Sequence, residues 1–159
     1  MRWGARLASA GLATTVALAV ATGTAAAQQG NPRQVPNGST CQSLLGKGSQ
    51  QVDVEGPNSV TMFKGPGGPG QIQATEELDP AGQVFNFSIT GPYAARAVIV
   101  HSALAGIANA WVYDSSTGFP AGLAADQGLH ATIDPATAEY HSIDGIAFCV
   151  IASPYNGTV

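Results

Sequence analysis

Charge is scarce in this chain. Only 10% of its 159 residues are Asp, Glu, Lys or Arg, against about a quarter in an ordinary globular domain. Six Lys and Arg in all exclude a basic nucleic-acid binder, and the lack of charge runs excludes a charged disordered tail. Motifs of chemistry are missing too. There is no G-x-S-x-G nucleophile elbow, no H-E-x-x-H and no EF-hand loop. Heptads, an internal repeat and a second domain are also absent, which excludes a coiled coil and a large two-domain enzyme. What is present is turn chemistry: 20 Gly and 10 Pro in a chain that is 45% hydrophobic. That balance favours strands and turns over helices.

The first segment reads as an address. Arg2 and Arg6 precede an uncharged stretch from Leu7 to Ala27, rich in Ala, Leu and Val, that ends in Ala25-Ala26-Ala27. Small residues at the −3 and −1 positions fit a signal peptidase, so residues 1–27 are expected to be a signal peptide cleaved before Gln28. The competing reading is an uncleaved anchor, since a stretch of that length could span a bilayer. Cleavage leaves Arg33, Lys47, Lys64 and Arg96 against ten acids, a net charge of −6. Such a surface disfavours nucleic acid and anionic lipid as partners, and no membrane insertion is expected after cleavage. Secretion is the expected localisation.

Both cysteines, Cys41 and Cys149, lie in the exported part. An even count in an oxidising compartment argues for a disulfide tying the first segment to the last. The alternative is a pair of free thiols, which no neighbouring feature activates.

Residues 28–40 are Gln, Asn, Pro, Gly and Ser with one Arg, expected to be a flexible lead-in. Cys41 to Gly46 reads as one helical turn. Strand-like runs follow at 51–54, 60–64, 71–78, 83–90, 95–100, 109–114 and 140–151. The tract Gly65-Pro66-Gly67-Gly68-Pro69-Gly70 is expected to be a loop, and 118–126 a loop or short helix. The clearest alternation is Phe85, Phe87 and Ile89 against Asn86 and Ser88. Val98-Ile99-Val100 reads as a strand buried on both faces, and Gly145 as a possible bulge. The fold class expected is all-β: a single antiparallel β-sandwich of about seven strands over residues 41–153, closed by the disulfide, with a tail at 154–159.

The second half carries a resemblance. Its residues are Ala97-Val98-Ile99-Val100, Ala108-Asn109-Ala110-Trp111-Val112-Tyr113-Asp114, Asp126-Gln127-Gly128-Leu129-His130-Ala131 and Ser142-Ile143-Asp144-Gly145-Ile146-Ala147-Phe148-Cys149. This succession resembles a family of small secreted bacterial domains without an established activity, common in high-GC Gram-positive bacteria. In that family a valine-rich strand, an Asn-x-Tyr-x-Tyr strand, a Gly-Leu turn and an Ile-Ser-His-Ile-x-Phe-Cys end follow one another. The match runs roughly from Cys41 to Cys149. This chain has His101-Ser102-Ala103 where relatives typically have Lys-Gly-Gly, and Asp144-Gly145 where they tend to carry Ser-His. The resemblance implies a compact extracellular β domain with no known catalytic residues.

Chemistry-bearing residues are few. His101, His130 and His141 lack motif context, and the spacing of His130 and His141 fits no zinc pattern. Asp53 and Glu55 before Gly56, with Asp114, Asp126, Asp134 and Asp144 near strand ends, are the acids a calcium site would draw on, but Asp at turns normally bonds its own backbone. Adjacent Glu76 and Glu77 point to opposite faces of a strand and cannot form a glycosidase pair; Glu139 stands alone. Asn37, Asn86 and Asn156 begin N-x-[ST] triplets, a short motif that recurs by chance. Trp111 and Tyr113 share one side of a strand, with Phe119 in the loop beyond, and form the candidate binding face. The competing reading puts them over the core.

The expected function is a secreted non-catalytic module with a structural or interaction role at the cell surface or outside the cell. No catalytic residue, metal site or cofactor is assigned, and the expected partner is an extracellular protein or glycan. The alternative is a small secreted hydrolase using a histidine.

Overall fold

The structure, a computed structural model, describes residues 32–103 and 106–153. The expected signal peptide and the tail at 154–159 lie outside the described residues. Nine strands and one short helix run in the order β1 (Arg33–Pro36), α1 (Cys41–Leu45), β2 (Gln50–Val54), β3 (Ser59–Gly65), β4 (Gly68–Asp79), β5 (Gly82–Thr90), β6 (Tyr93–Ser102), β7 (Ile107–Val112), β8 (Ala125–His130) and β9 (Ile143–Ala152). They form two antiparallel sheets, β1-β7-β6-β9-β2 and β3-β4-β5-β8. The fold is all-β, as the turn-punctuated periodicity indicates, with nine strands rather than about seven.

Alternation sets the core. Val98 and Val100 of β6, Phe148 and Val150 of β9 and Trp111 of β7 face Ile72 of β4, Phe85 and Phe87 of β5 and Leu129 of β8. The opposite side of the five-stranded sheet carries a second cluster: Ala97, Ile99, Ala108, Ala110, Ala147 and Cys149, covered by Val35, Cys41 and the α1 leucines Leu44 and Leu45. β6 is therefore buried on both faces, as its apolar run suggests. Alanines on the outer face let α1 lie close to the sheet. Thr40 caps that helix by accepting from the Ser43 amide at 3.2 Å, while Ser43 Oγ accepts from the Thr40 amide at 2.9 Å. The Cys41–Cys149 disulfide joins the first segment to the last strand, with Cα atoms 5.3 Å apart.

Three segments differ from the sequence reading. Part of the expected lead-in is β1, paired with β7 from Arg33↔Ala110 to Pro36↔Ile107, with Val35 buried. The Gly-Pro tract is a tight hairpin in which only Pro66 and Gly67 turn, because Gly68, Pro69 and Gly70 pair with Gly65, Lys64 and Phe63. Pro69 is tolerated there because the β4–β5 ladder begins two residues later, at Gln71↔Thr90. Glycine is required at position 70, where a Cβ would strike the rings of Phe63 and Tyr93. The stretch expected as a loop or short helix runs into β8, paired with β5.

Two bulges interrupt the β6–β9 ladder. The register passes from Ala95↔Val150 to Ala97↔Cys149, leaving Arg96 over, and from His101↔Gly145 to Ser102↔Ile143, leaving Asp144 over. The second bulge falls one residue before the glycine expected to make it. A bulge re-aims the side chain it leaves unpaired, and each of these lies beside a surface cleft.

Candidate functional site

The aromatic face proposed from alternation is interior. Trp111 is 2% and Tyr113 1% exposed. The candidate binding face is thus corrected to core: the two rings do share a side, but it is the side that meets the opposite sheet. Tyr113 packs against Phe87 and Phe119, and the Trp111 ring meets His130 edge to face at 5.3 Å.

Asn109, two residues before Trp111, completes that row and explains its chemistry. The Asn109 amide donates to the carbonyls of Ala131 (3.0 Å) and His130 (3.2 Å), at and just beyond the end of β8. The Tyr113 hydroxyl donates to Asp126 Oδ2 at 2.7 Å, at the start of β8. Ser102 Oγ and Thr132 Oγ1, both buried, bond at 2.8 Å. β7 and β8 belong to different sheets, so these bonds lace one flank of the sandwich shut. Burial drives the Asp126 carboxyl above the usual range, against the Tyr113 and Gln127 bonds that hold it down. Burial first, then the neighbouring carboxylate, pushes the Tyr113 phenol far upward. Asn109 was not singled out in the sequence, although its period-two spacing from Trp111 and Tyr113 marks it.

Among the described residues, the His101 and His130 rings are hydrogen-bonded only to backbone carbonyls. His101 Nδ1 lies 2.6 Å from the Asn37 carbonyl, and His130 Nδ1 2.7 Å from the Ala131 carbonyl. A carbonyl only accepts, so each Nδ1 carries its proton there and Nε2 is the acceptor in the neutral ring. His130 is stacked on Tyr140 with centroids 3.9 Å apart, and desolvation depresses its pKa. His141 contributes its backbone amide to the Thr132 carbonyl. Among the described residues, no histidine ring is hydrogen-bonded to a serine, threonine or carboxylate.

His101 has a second neighbourhood. It lines an open cleft of about 360 Å³ with Asp53, Glu55 and Asp144, at the end of the sheet where β2, β6 and β9 meet. The cleft brings together residues that the sequence could only name separately. It also holds both departures from the resembled pattern, since His101 stands opposite Gly145. The three carboxylates give it an acidic lining, with the imidazole of His101 among them. They do not converge: among the described residues, no group of three or more His, Cys, Asp or Glu could hold a metal ion.

Asp79, Asp114, Asp134, Glu76 and Glu77 are held by protein donors. Asp114 Oδ1 accepts from the Ser116 amide and hydroxyl, which lowers its pKa, and Asp79 and Asp134 each cap the amide two residues on. Glu76 takes bonds from Asn58 and Gln83 while Glu77 takes one from Asn86, consistent with opposite faces. The Asn37 amide is held by the backbone of Ser102 in both directions, at 3.2 Å each. Asn156 lies outside the described residues. Among the described residues no helix is long and apolar enough to cross a membrane. Scanned against protein-family models, curated proteins and solved structures, the chain gives no match.

Proposed function

We propose that this chain is a secreted, non-catalytic β-sandwich module with an interaction or structural role at the cell surface or outside the cell, its partner an extracellular protein or glycan. One observation carries the reading. The interior groups able to do chemistry (Asn109, Tyr113, Asp126, Ser102 and Thr132) are tied to one another or to backbone across the flank of the sandwich. Such bonds hold two sheets together and leave these groups engaged with protein partners. The buried disulfide fits an oxidising compartment and so favours export. The surface open to a partner is the acidic cleft around Asp53, Glu55, His101 and Asp144.

That cleft also supports the second reading, a small secreted hydrolase with His101 as base. The two part in one assay. The exported protein, whose N-terminal sequence is expected to start at Gln28, is offered chromogenic ester, peptide and glycoside substrates. The module reading expects turnover at background, identical in His101→Ala. Turnover lost in that variant would establish the hydrolase instead, and a retained Met1 would refute export.

A further inference from the structure

We propose that the exported chain forms a twofold dimer in which the edge strand β3 pairs antiparallel with β3 of a second copy, joining the two four-stranded sheets into one. The inference goes beyond the module reading and does not rest on it, since a hydrolase could pair in the same way. Four strands end the two sheets: β1, β2, β3 and β8. An open edge invites another chain, and proteins blunt the edges they leave unused with short strands, charge, proline or irregular pairing. β1 has four residues and carries Arg33 and Pro36, while β2 has five and carries the exposed Asp53. The β8 ladder slips between Phe85 and Phe87, and Gly128 has a φ of +68°. The middle of β3 has none of these devices. Its seven residues run in unbroken register against β4, and Val60 and Met62 stand 58% and 66% exposed on its outer face.

The hairpin fixes which peptide groups of β3 are free. Pro66 and Gly67 make a two-residue turn, so Gly65 and Gly68 are the hydrogen-bonded pair that closes it. Bonded pairs alternate from there through Phe63↔Gly70, Thr61↔Ile72 and Ser59↔Ala74. The N–H and C=O of Val60, Met62 and Lys64 therefore point away from β4, toward the open edge. The Lys64 carbonyl is already taken, by Gln50 Nε2 at 3.2 Å. Among the described residues no turn or loop backbone bonds to Val60 or Met62. Those two residues are left to receive a strand.

The same two positions choose the partner and its register. A strand that pairs antiparallel with its own copy does so about a twofold axis. With the axis at Thr61, Val60 faces Met62 of the second copy and Met62 faces its Val60. Each then exchanges backbone hydrogen bonds and meets an apolar side chain, with Cβ atoms about 4.5–5.5 Å apart. An axis at Met62 would instead set Val60 against Lys64, whose carbonyl is occupied. Charge fits the Thr61 register as well. Lys64 falls opposite Asn58 of the second copy, whose side chain is bonded to Glu76 at 2.8 Å, so each copy brings an ammonium toward the other's carboxylate. β3 itself holds no acid, so a chain with ten acids against four cations meets its copy here without burying like charges.

The test is sedimentation velocity of the exported protein from about 5 μM to about 1 mM. The sedimentation coefficient should rise from the monomer to the dimer value within that range, because an edge contact is smaller than a standard interface and binds weakly. Met62→Lys places a charge on the open edge and should weaken the dimer at least tenfold, with an unchanged melting temperature at the dilute end. Val60→Lys should do the same from the neighbouring position. In the concentrated native protein, hydrogen exchange should slow at the Val60 and Met62 amides relative to the dilute sample. A monomer at every concentration would overturn the self-pairing and leave the edge to a foreign strand. A dimer that both variants leave intact, or one that leaves exchange at Val60 and Met62 unslowed, would place the contact elsewhere and overturn it too.

Discussion

Asp126 shows how much one buried carboxyl can set. It is 2% exposed, and its folded pKa is raised by burial. A raised carboxyl favours the protonated form in the folded state. Its stabilising contribution is therefore complete below the unfolded value of about 3.9 and is lost as pH rises through the folded pKa. Asp126→Asn keeps an acceptor for Tyr113 and removes the titration. Urea denaturation from pH 3 upward should give a fall in stability in the native chain that is shallower in the variant; parallel curves would contradict this. Trp111 is the second residue whose burial decides an outcome. Trp111→Ala should cost about 3–5 kcal/mol, the usual range for a large core aromatic, read as a large drop in melting temperature. An unchanged melt would return Trp111 to the surface. Period-two alternation assigned Trp111 and Tyr113 to one side correctly. It could not say which side, because alternation fixes relative orientation and only the opposite sheet decides what is inward.

Among the elements, legibility tracked side-chain pattern. β5 and β6 were readable because Phe85, Phe87 and Ile89 alternate and Val98 to Val100 run together. β1 was not: Arg33–Pro36 has one buried apolar residue, Val35, and is held by backbone pairing to a strand some 75 positions later. β8 hid for a related reason, since its inward residues, Asp126 and Leu129, are three apart across an irregular ladder and one of them is charged. The β3–β4 hairpin hid behind its own composition. Its glycines make room for Tyr93, whose hydroxyl donates to the Gly68 carbonyl at 2.8 Å and accepts from the Gly67 amide at 3.1 Å. Gly70→Ala should therefore cost about 1–3 kcal/mol through overpacking against Phe63 and Tyr93. Gly145→Ala, where a Cβ meets nothing within 4 Å, should stay within about 0.5 kcal/mol. Equal chemical-denaturation midpoints for the two variants would show the hairpin argument to be wrong.

For the whole molecule, the sequence supports a sandwich but not its strand order. β1-β7-β6-β9-β2 is a non-local arrangement, and nothing in periodicity says which distant strands pair. The same limit hid the acidic cleft, since Asp53, His101 and Asp144 come to line one hollow only through that order. The disulfide was readable from compartment and count alone. Replacing Cys41 and Cys149 together by Ser should lower stability by about 4–5 kcal/mol in the chain-entropy model, because the cross-link closes a loop of over 100 residues in the unfolded chain. Alkylation of the native protein without reductant should label neither cysteine.

That bridge also governs how the molecule bears tension. A pull on its two ends enters at Cys41 and leaves at Cys149 through a covalent short-cut. Once β1 has peeled from β7 and the end of β9 from its neighbours, every strand from β2 to β8 lies inside the closed loop and carries none of the load. Reduction would release the enclosed chain, roughly 350–390 Å of added length at full extension. Under a pull on its ends the oxidised form is an almost inextensible link and the reduced form a long slack tether.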